Sequence, residues 1–225
     1  MKKRLLPILP VLLLSFILAV TGLQAQNIPA IVSTDWLEEN MANPDMVILD
    51  VREEGTYTAG HIPGSINVPA YPNWYINNPG EQPPWMELPA EESLYATIGE
   101  AGISTNSIVV VIARTSDAES EGLAEYGMTK ACRAAITLIY AGVEKVIFLN
   151  GGYDKWKTEG KEISTQATIP QPITYDGKVN ESIFVSKEYV EKKLGKSTIM
   201  DTRDSETYFG VGTDYSSERP GHIPT

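Results

Sequence analysis

The run Ile108-Val109-Val110-Val111-Ile112 consists of five consecutive β-branched residues with no polar interruption. Strict alternation would mark a strand with one face in water, whereas an unbroken apolar run of this length marks a parallel strand covered on both faces. Downstream, Thr129 to Tyr140 reads as a helix with Ala131, Ala134, Ala135, Leu138 and Ile139 on one side, ended by Gly142. Val146 to Leu149 is a second buried strand, and Gly151-Gly152 opens a further helix through Trp156. Upstream, Ser33 and Thr34 cap a short helix over Thr34 to Met41, and Met46 to Asp50 is an apolar strand running into a polar end. Strands alternating with helices define an α/β domain, a central parallel sheet flanked by helices. Chemistry in such sheets collects at the carboxyl ends of the strands, so Asp50 and the loop after Ile112 are the places to look.

The chain has two histidines, and both lie in the same tetrapeptide, Gly60-His61-Ile62-Pro63 and Gly221-His222-Ile223-Pro224. Reading backwards from each, Asp50-Val51-Arg52 matches Asp201-Thr202-Arg203, Tyr57 matches Tyr208, and Val32-Ser33 matches Val185-Ser186. The copies are 151 residues apart at the Asp and 161 at the His, because the second carries an insertion, Gly210 to Pro220. A period of that size means whole duplicated domains rather than a solenoid. Between the copies, Ile163 to Ser182 is rich in Thr, Gln, Pro and Ser, includes Pro170-Gln171-Pro172, and reads as an interdomain linker. The second copy contributes a helix over Lys187 to Leu194 and a strand over Thr198 to Asp201. The chain therefore divides into a leader (1–25), a first unit (26–163), a linker (164–183) and the N-terminal part of a second unit (184–225).

The leader reading rests on Lys2, Lys3 and Arg4, then an apolar run from Leu5 to Val20, then the small and polar residues Thr21 to Gln26. That order is a secretory signal peptide, with cleavage after Ala25 and a periplasmic or secreted product. A membrane anchor is disfavoured, because the run is shorter than a spanning helix needs and Pro7 and Pro10 interrupt its start. Losing the three leader cations takes the formal net charge from −11 to −14, which disfavours nucleic acid and anionic membrane as partners. The single cysteine, Cys132, cannot make an internal disulfide. With two histidines and no Cys-x-x-Cys, no metal or other cofactor site is expected.

Ile48-Leu49-Asp50-Val51-Arg52-Glu53, then Tyr57, then the stretch from Gly60 to Pro69, resembles the opening of a rhodanese domain. Leu149-Asn150-Gly151-Gly152-Tyr153, with Trp156 after it, is similar to the closing part of the same domain. The two-copy arrangement resembles the tandem sulfurtransferases that act on thiosulfate or 3-mercaptopyruvate. In that family the first domain is usually silent and the second carries a cysteine that takes a sulfane sulfur and passes it to cyanide or a thiol. The resemblance thus implies a small sulfur-containing anion or a thiol as substrate, with a protein partner as a further acceptor. Such chemistry needs a thiolate stabilised by backbone N–H groups and a helix N-terminus, because only the thiolate attacks sulfur.

The nucleophile position, counted forward from the Ile108 to Ile112 strand, falls at Ala113 or Arg114, and counted back from the following helix at Glu125. None is a cysteine. The loop between carries Asp117, Glu119, Glu121 and Glu125 against Arg114, a field that raises a thiol pKa and repels thiosulfate. Cys132 lies inside the helix, and its expected role is core packing, with a weakly reactive surface thiol as the alternative. Asp50 with Arg52 and Asp201 with Arg203 read as scaffold pairs, the alternative being substrate contact, since a buried Asp must be paired to be tolerated. His61 and His222 read as loop-holding side chains. Members acting on thiosulfate or mercaptopyruvate typically have an Arg before the Tyr of the second domain, and here that position is Thr207. The insert Tyr71 to Met86 holds Tyr71, Trp74, Tyr75 and Trp85 among four prolines, and reads either as a docking surface or as packing across the top of the domain.

Two functions follow from these residues. In one, the chain is an exported sulfurtransferase-family protein whose persulfide cysteine would fall beyond Thr225. In the other, it is a non-catalytic binding or regulatory module.

Overall fold

A computed structural model of the protein describes residues 28–76, 87–114, 124–203, 205–211 and 221–224. The leader, Trp85, and Asp117, Glu119 and Glu121 lie outside those residues. Five strands, β1 (Ile31–Val32), β2 (Met46–Asp50), β3 (Ile66–Asn67), β4 (Ile108–Ile112) and β5 (Lys145–Leu149), form one sheet in the order β1-β5-β4-β2-β3. Every pairing is parallel, with β4 at the centre between β2 and β5. All five residues of β4 are buried, which is why its sequence shows no alternation.

Helices cover both faces, and side chains along β4 point alternately to two cores. Val109 and Val111 join Leu49, Val51, Leu94, Ile98, Ala134, Ala135 and Leu138 in a core beneath α4 (Glu91–Glu100) and α5 (Ala124–Tyr140). Ile108, Val110 and Ile112 join Leu37, Ile48, Ile62, Ile147, Leu149 and Trp156 in the other, beneath α1 (Thr34–Asn40) and α6 (Gly152–Thr158). The short helices α2 (Glu54–Ala59) and α3 (Ala70–Asn73) sit in the connections around β3. Ser33 accepts a hydrogen bond from the Trp36 amide at 3.1 Å and so caps α1.

Three expectations need correction. Helix α5 begins at Ala124, five residues before Thr129, so a full extra turn of helix precedes the apolar stripe. Ile139 is exposed rather than on the buried side, because the face through Ala131, Ala134, Ala135 and Leu138 turns it outward. Residues Thr198 to Asp201 form no strand, since a parallel strand exists only when paired and no described strand lies beside them. Met200 is accordingly 79% exposed.

The C-terminal residues carry two further helices, α7 (Lys187–Lys193) and α8 (Ser205–Phe209). Ser186 caps α7 by accepting from the Tyr189 amide at 3.3 Å, the same device Ser33 uses for α1. Of the aromatic insert, Trp74 and Tyr75 are buried. The Trp74 indole donates to Val68 O at 3.2 Å, and Thr137 Oγ1 donates to Trp74 O at 3.1 Å. The described part of the insert therefore packs, apart from the exposed Tyr71 and Pro72.

Candidate functional site

Asp50 ends β2 and is fully buried, so its carboxylate must be matched by donors. Arg52, two residues on, supplies them. Its Nε lies 2.9 Å from Oδ1 and 3.1 Å from Oδ2, its Nη2 2.7 Å from Oδ2, and its backbone N–H donates to Oδ1 at 3.0 Å. Arg52 Nη2 also donates to Gly60 O at 3.0 Å, and the guanidinium carbon sits 3.7 Å from the centre of the Tyr153 ring. One ion pair thus ties the end of β2 to the turn after α2 and to α6.

His61 closes the same structure. Its ring stacks on Tyr57 with centroids 3.8 Å apart and planes 9° from parallel. Nδ1 lies 2.9 Å from Tyr57 O and Nε2 3.1 Å from Gln166 O. Tyr57 donates its phenol to Ser65 O at 2.7 Å. Both imidazole nitrogens therefore face backbone carbonyls inside the protein, and the ring offers no free edge for proton transfer. The same arrangement recurs around Asp201 and His222. Arg203 Nη2 lies 2.7 Å from Asp201 Oδ2 and donates to Gly221 O at 2.8 Å, while His222 stacks on Tyr208 at 4.0 Å with Nδ1 3.0 Å from Tyr208 O. The Arg203 guanidinium holds the Asp201 carboxyl down at about 2.

The loop after β4 is where a nucleophile would sit. Ala113 is buried, and its carbonyl accepts from the Tyr153 amide at 3.0 Å. Arg114 is half-buried and faces Asp154, with Nε 3.8 Å from Oδ1. Glu125 falls within the first turn of α5, and its side chain, like the rest of the expected acidic field of this loop, lies outside the described residues. Across the same end of the sheet Lys130 bonds Glu53 at 2.9 Å. Burial pushes the nearby Tyr75 phenol up, with Lys130 acting against it.

Cys132 is exposed, which corrects the packing role expected for it. It lies nine residues into α5, on the outward face with the exposed Met128 and Ile139, because the inward face is taken by Ala131, Ala134, Ala135 and Leu138. That position is well past the free N–H groups of the helix start that would stabilise a thiolate. Thr207 lies within α8, so the expected arginine of the second unit is replaced there by a short hydroxyl side chain. Among the described residues no group of three or more His, Cys, Asp or Glu side chains converges on a common point.

The structure brings together Asp50, Arg52, Gly60 and His61, which sequence singled out, and adds Tyr153, Ser65 and Gln166, which it did not. Tyr153 stood in a quoted motif, but nothing in the motif says that its ring lies under a guanidinium. Ser65 and Gln166 act through their carbonyl oxygens, and a backbone acceptor leaves no mark in the residue type.

A parallel five-stranded sheet with a buried Asp–Arg brace at its carboxyl end, leading into the loop after the central strand, defines the class of domain. The rhodanese-like domain model matches residues 33–159, more than half of the chain, and the protein belongs to that family. The relatives it matches include a thiosulfate sulfurtransferase and a sulfur carrier protein. The sulfur carrier protein TtuD of Thermus thermophilus is 29% identical over 210 residues, covering 86% of this chain and 67% of that protein. The thiosulfate sulfurtransferase of Pseudomonas aeruginosa is 26% identical over 205 residues, covering 88% and 68%. A Synechococcus elongatus relative, 29% identical over 198 residues, is matched over 56% of its length, so the chain spans about half to two-thirds of these proteins. The crystal structure of SseA of Escherichia coli, a 3-mercaptopyruvate sulfotransferase, superposes with a TM-score of 0.65 at 25% identity, over 88% of this chain and 73% of that one.

Proposed function

We propose that this chain belongs to a sulfane-sulfur transfer system in which the persulfide forms on a cysteine that the chain does not itself carry. Residues 26–163 act as a silent rhodanese-like unit, and residues 184–225 open a second unit. In the reaction, a thiolate attacks the outer sulfur of thiosulfate or the thiol sulfur of a mercaptopyruvate-like donor. The new S–S bond forms as the donor's S–S or C–S bond to that sulfur breaks, and the leaving group is sulfite or the enolate of pyruvate, which takes up the thiol's proton. Cyanide or an acceptor thiol then takes the sulfur and the thiolate is regenerated. The observation that carries this reading is the strand end at Ala113 and Arg114. A buried alanine, whose carbonyl accepts from the Tyr153 amide, and a guanidinium facing Asp154 stand where the nucleophile is expected. Likeness to a sulfur carrier protein supports a protein thiol among the acceptors. Export directed by residues 1–25 is part of the proposal, and N-terminal sequencing of the mature protein is expected to begin at Gln26.

The test is a thiosulfate:cyanide assay on residues 26–225. The expected result is no thiocyanate above the uncatalysed background, and no persulfide on Cys132 after incubation with thiosulfate. Turnover that vanishes in Cys132→Ser would overturn the silent reading, because the exposed thiol would then be the nucleophile.

A further inference from the structure

The segment after α6 has the composition of a linker, and between Gln166 and Ile183 it has no helix or strand. It nevertheless bonds to the first unit at regular intervals. Ser164 exchanges two backbone hydrogen bonds with His61, both 2.9 Å, and Gln166 O meets His61 Nε2. Further on, the Ile173 amide donates to Gly99 O at 2.9 Å, and Tyr175 donates its phenol to Ala141 O at 2.7 Å. The Tyr175 ring is buried in the α4–α5 core with its centroid 5.3 Å from that of Tyr95. The Asn180 amide then donates to Tyr140 O at 2.6 Å. Phe184 ends the run edge-on to Tyr140 at 5.4 Å, with the Arg133 guanidinium 5.1 Å from its ring.

Three glycines of the first unit, Gly99, Gly102 and Gly142, lie directly under this path. Gly99 stands in the last turn of α4 with ordinary helical backbone, where alanine is intrinsically favoured over glycine. A Cβ there would come within 2.5 Å of Ile173 O, so the strap's backbone occupies the space an alanine methyl needs. At Gly142, φ is +99° and a Cβ would lie 2.8 Å from Lys178 O. The helix gives up propensity at Gly99 only in return for something lying against it.

We infer that residues 164–184 are a fixed strap of the first unit rather than a tether. The strap runs from the His61 brace, over the ends of α4 and α5, and ends on the α5 flank at Phe184. The boundary of the folded unit then lies after Phe184 and not near Ser164. The strap also forms one wall, through Ala167, Thr168 and Pro170, of a cavity of about 410 Å³ whose other walls include Asn67, Asn73 and Thr97. That cavity exists only while the strap is docked.

Hydrogen exchange read by mass spectrometry on the full mature chain tests this. Peptides spanning 164–184 should exchange at least about tenfold more slowly than an unstructured segment of the same composition. In Gly99→Ala the same peptides should speed up by at least about tenfold, with the β4 peptide unchanged. Fast exchange of 164–184 in the wild type would overturn the inference, and so would unchanged or slowed exchange in Gly99→Ala, the result expected from helix propensity alone. Should the β4 peptide also accelerate, Tyr175→Phe decides, because it keeps the ring and removes only the bond to Ala141 O. It should loosen residues 173–184 alone, and no change there would sink the strap.

Discussion

The two Asp–Arg–His braces have the same bonds and different surroundings. In each, the arginine meets the second carboxylate oxygen at 2.7 Å and the following glycine carbonyl within 3.0 Å. The histidine stacks on its tyrosine within 10° of parallel in both. The first pair has side chains 4% and 0% exposed, under Tyr153 and beside a complete sheet. The second has 37% and 20% exposed and no strand alongside among the described residues. The brace is therefore local chemistry, written within about twenty residues, whereas its energetic weight is set by what buries it. A buried charge left without its partner cannot be resolvated, but an exposed one can.

The largest test of that difference is Arg52→Ala. It strands the buried Asp50 carboxylate and should destabilise the first unit by about 3–5 kcal/mol, read as a fall in the urea midpoint. Arg203→Ala should leave the main unfolding transition where it is. Equal losses from the two would mean that both braces are equally buried in solution, and the contrast would fail.

A smaller loss is expected from Tyr57→Phe, which keeps the ring stacked on His61 but removes the 2.7 Å bond to Ser65 O. About 1 kcal/mol should be lost in chemical denaturation, the net worth of one buried hydrogen bond.

Two pH effects sharpen the comparison further. The folded pKa of Asp201 is depressed to about 2, so its pairing with Arg203 contributes fully above the ordinary value of 3.8 and is lost as pH falls through about 2. Carboxyl NMR shifts should show Asp201 titrating there, and returning toward 3.8 in Arg203→Ala. Tyr175 runs the other way, because burial raises its phenol to about 12. Its contribution to strap docking is complete below the ordinary value of 10 and is lost as pH rises through about 12. Absorbance titration should therefore lose a tyrosine that titrates at about 12 in Tyr175→Phe.

Much of the first unit could be read directly from residue pattern. Strands β2, β4 and β5 fall within a residue of their expected limits, because each is an apolar run covered on two faces, with polar residues only at its ends, Asp50 in β2 and Lys145 in β5. Asp50, Arg52 and His61 were legible as a group because their order, and the Asp-x-Arg and Gly-His-Ile-Pro motifs that hold them, recur at Asp201, Arg203 and His222. Cys132 was misjudged for a physical reason. A residue type prone to burial says little about which face of a helix it occupies, and Cys132 lies off the buried face through Ala131, Ala134, Ala135 and Leu138.

What the sequence determined by itself was whatever is encoded over short range: the α/β alternation, the caps at Ser33 and Ser186, the brace spacing, and the missing cysteine at Ala113 and Arg114. Tertiary structure alone decided which partners those elements found. It placed Tyr153 beneath Arg52, filled both nitrogens of His61 with carbonyls from distant segments, and laid a linker-like stretch across Gly99 and Gly142. The physical reason is that backbone acceptors and clearance for a passing chain are properties of position. A carbonyl looks the same in every residue, and a glycine kept for space is indistinguishable in sequence from one kept for a turn.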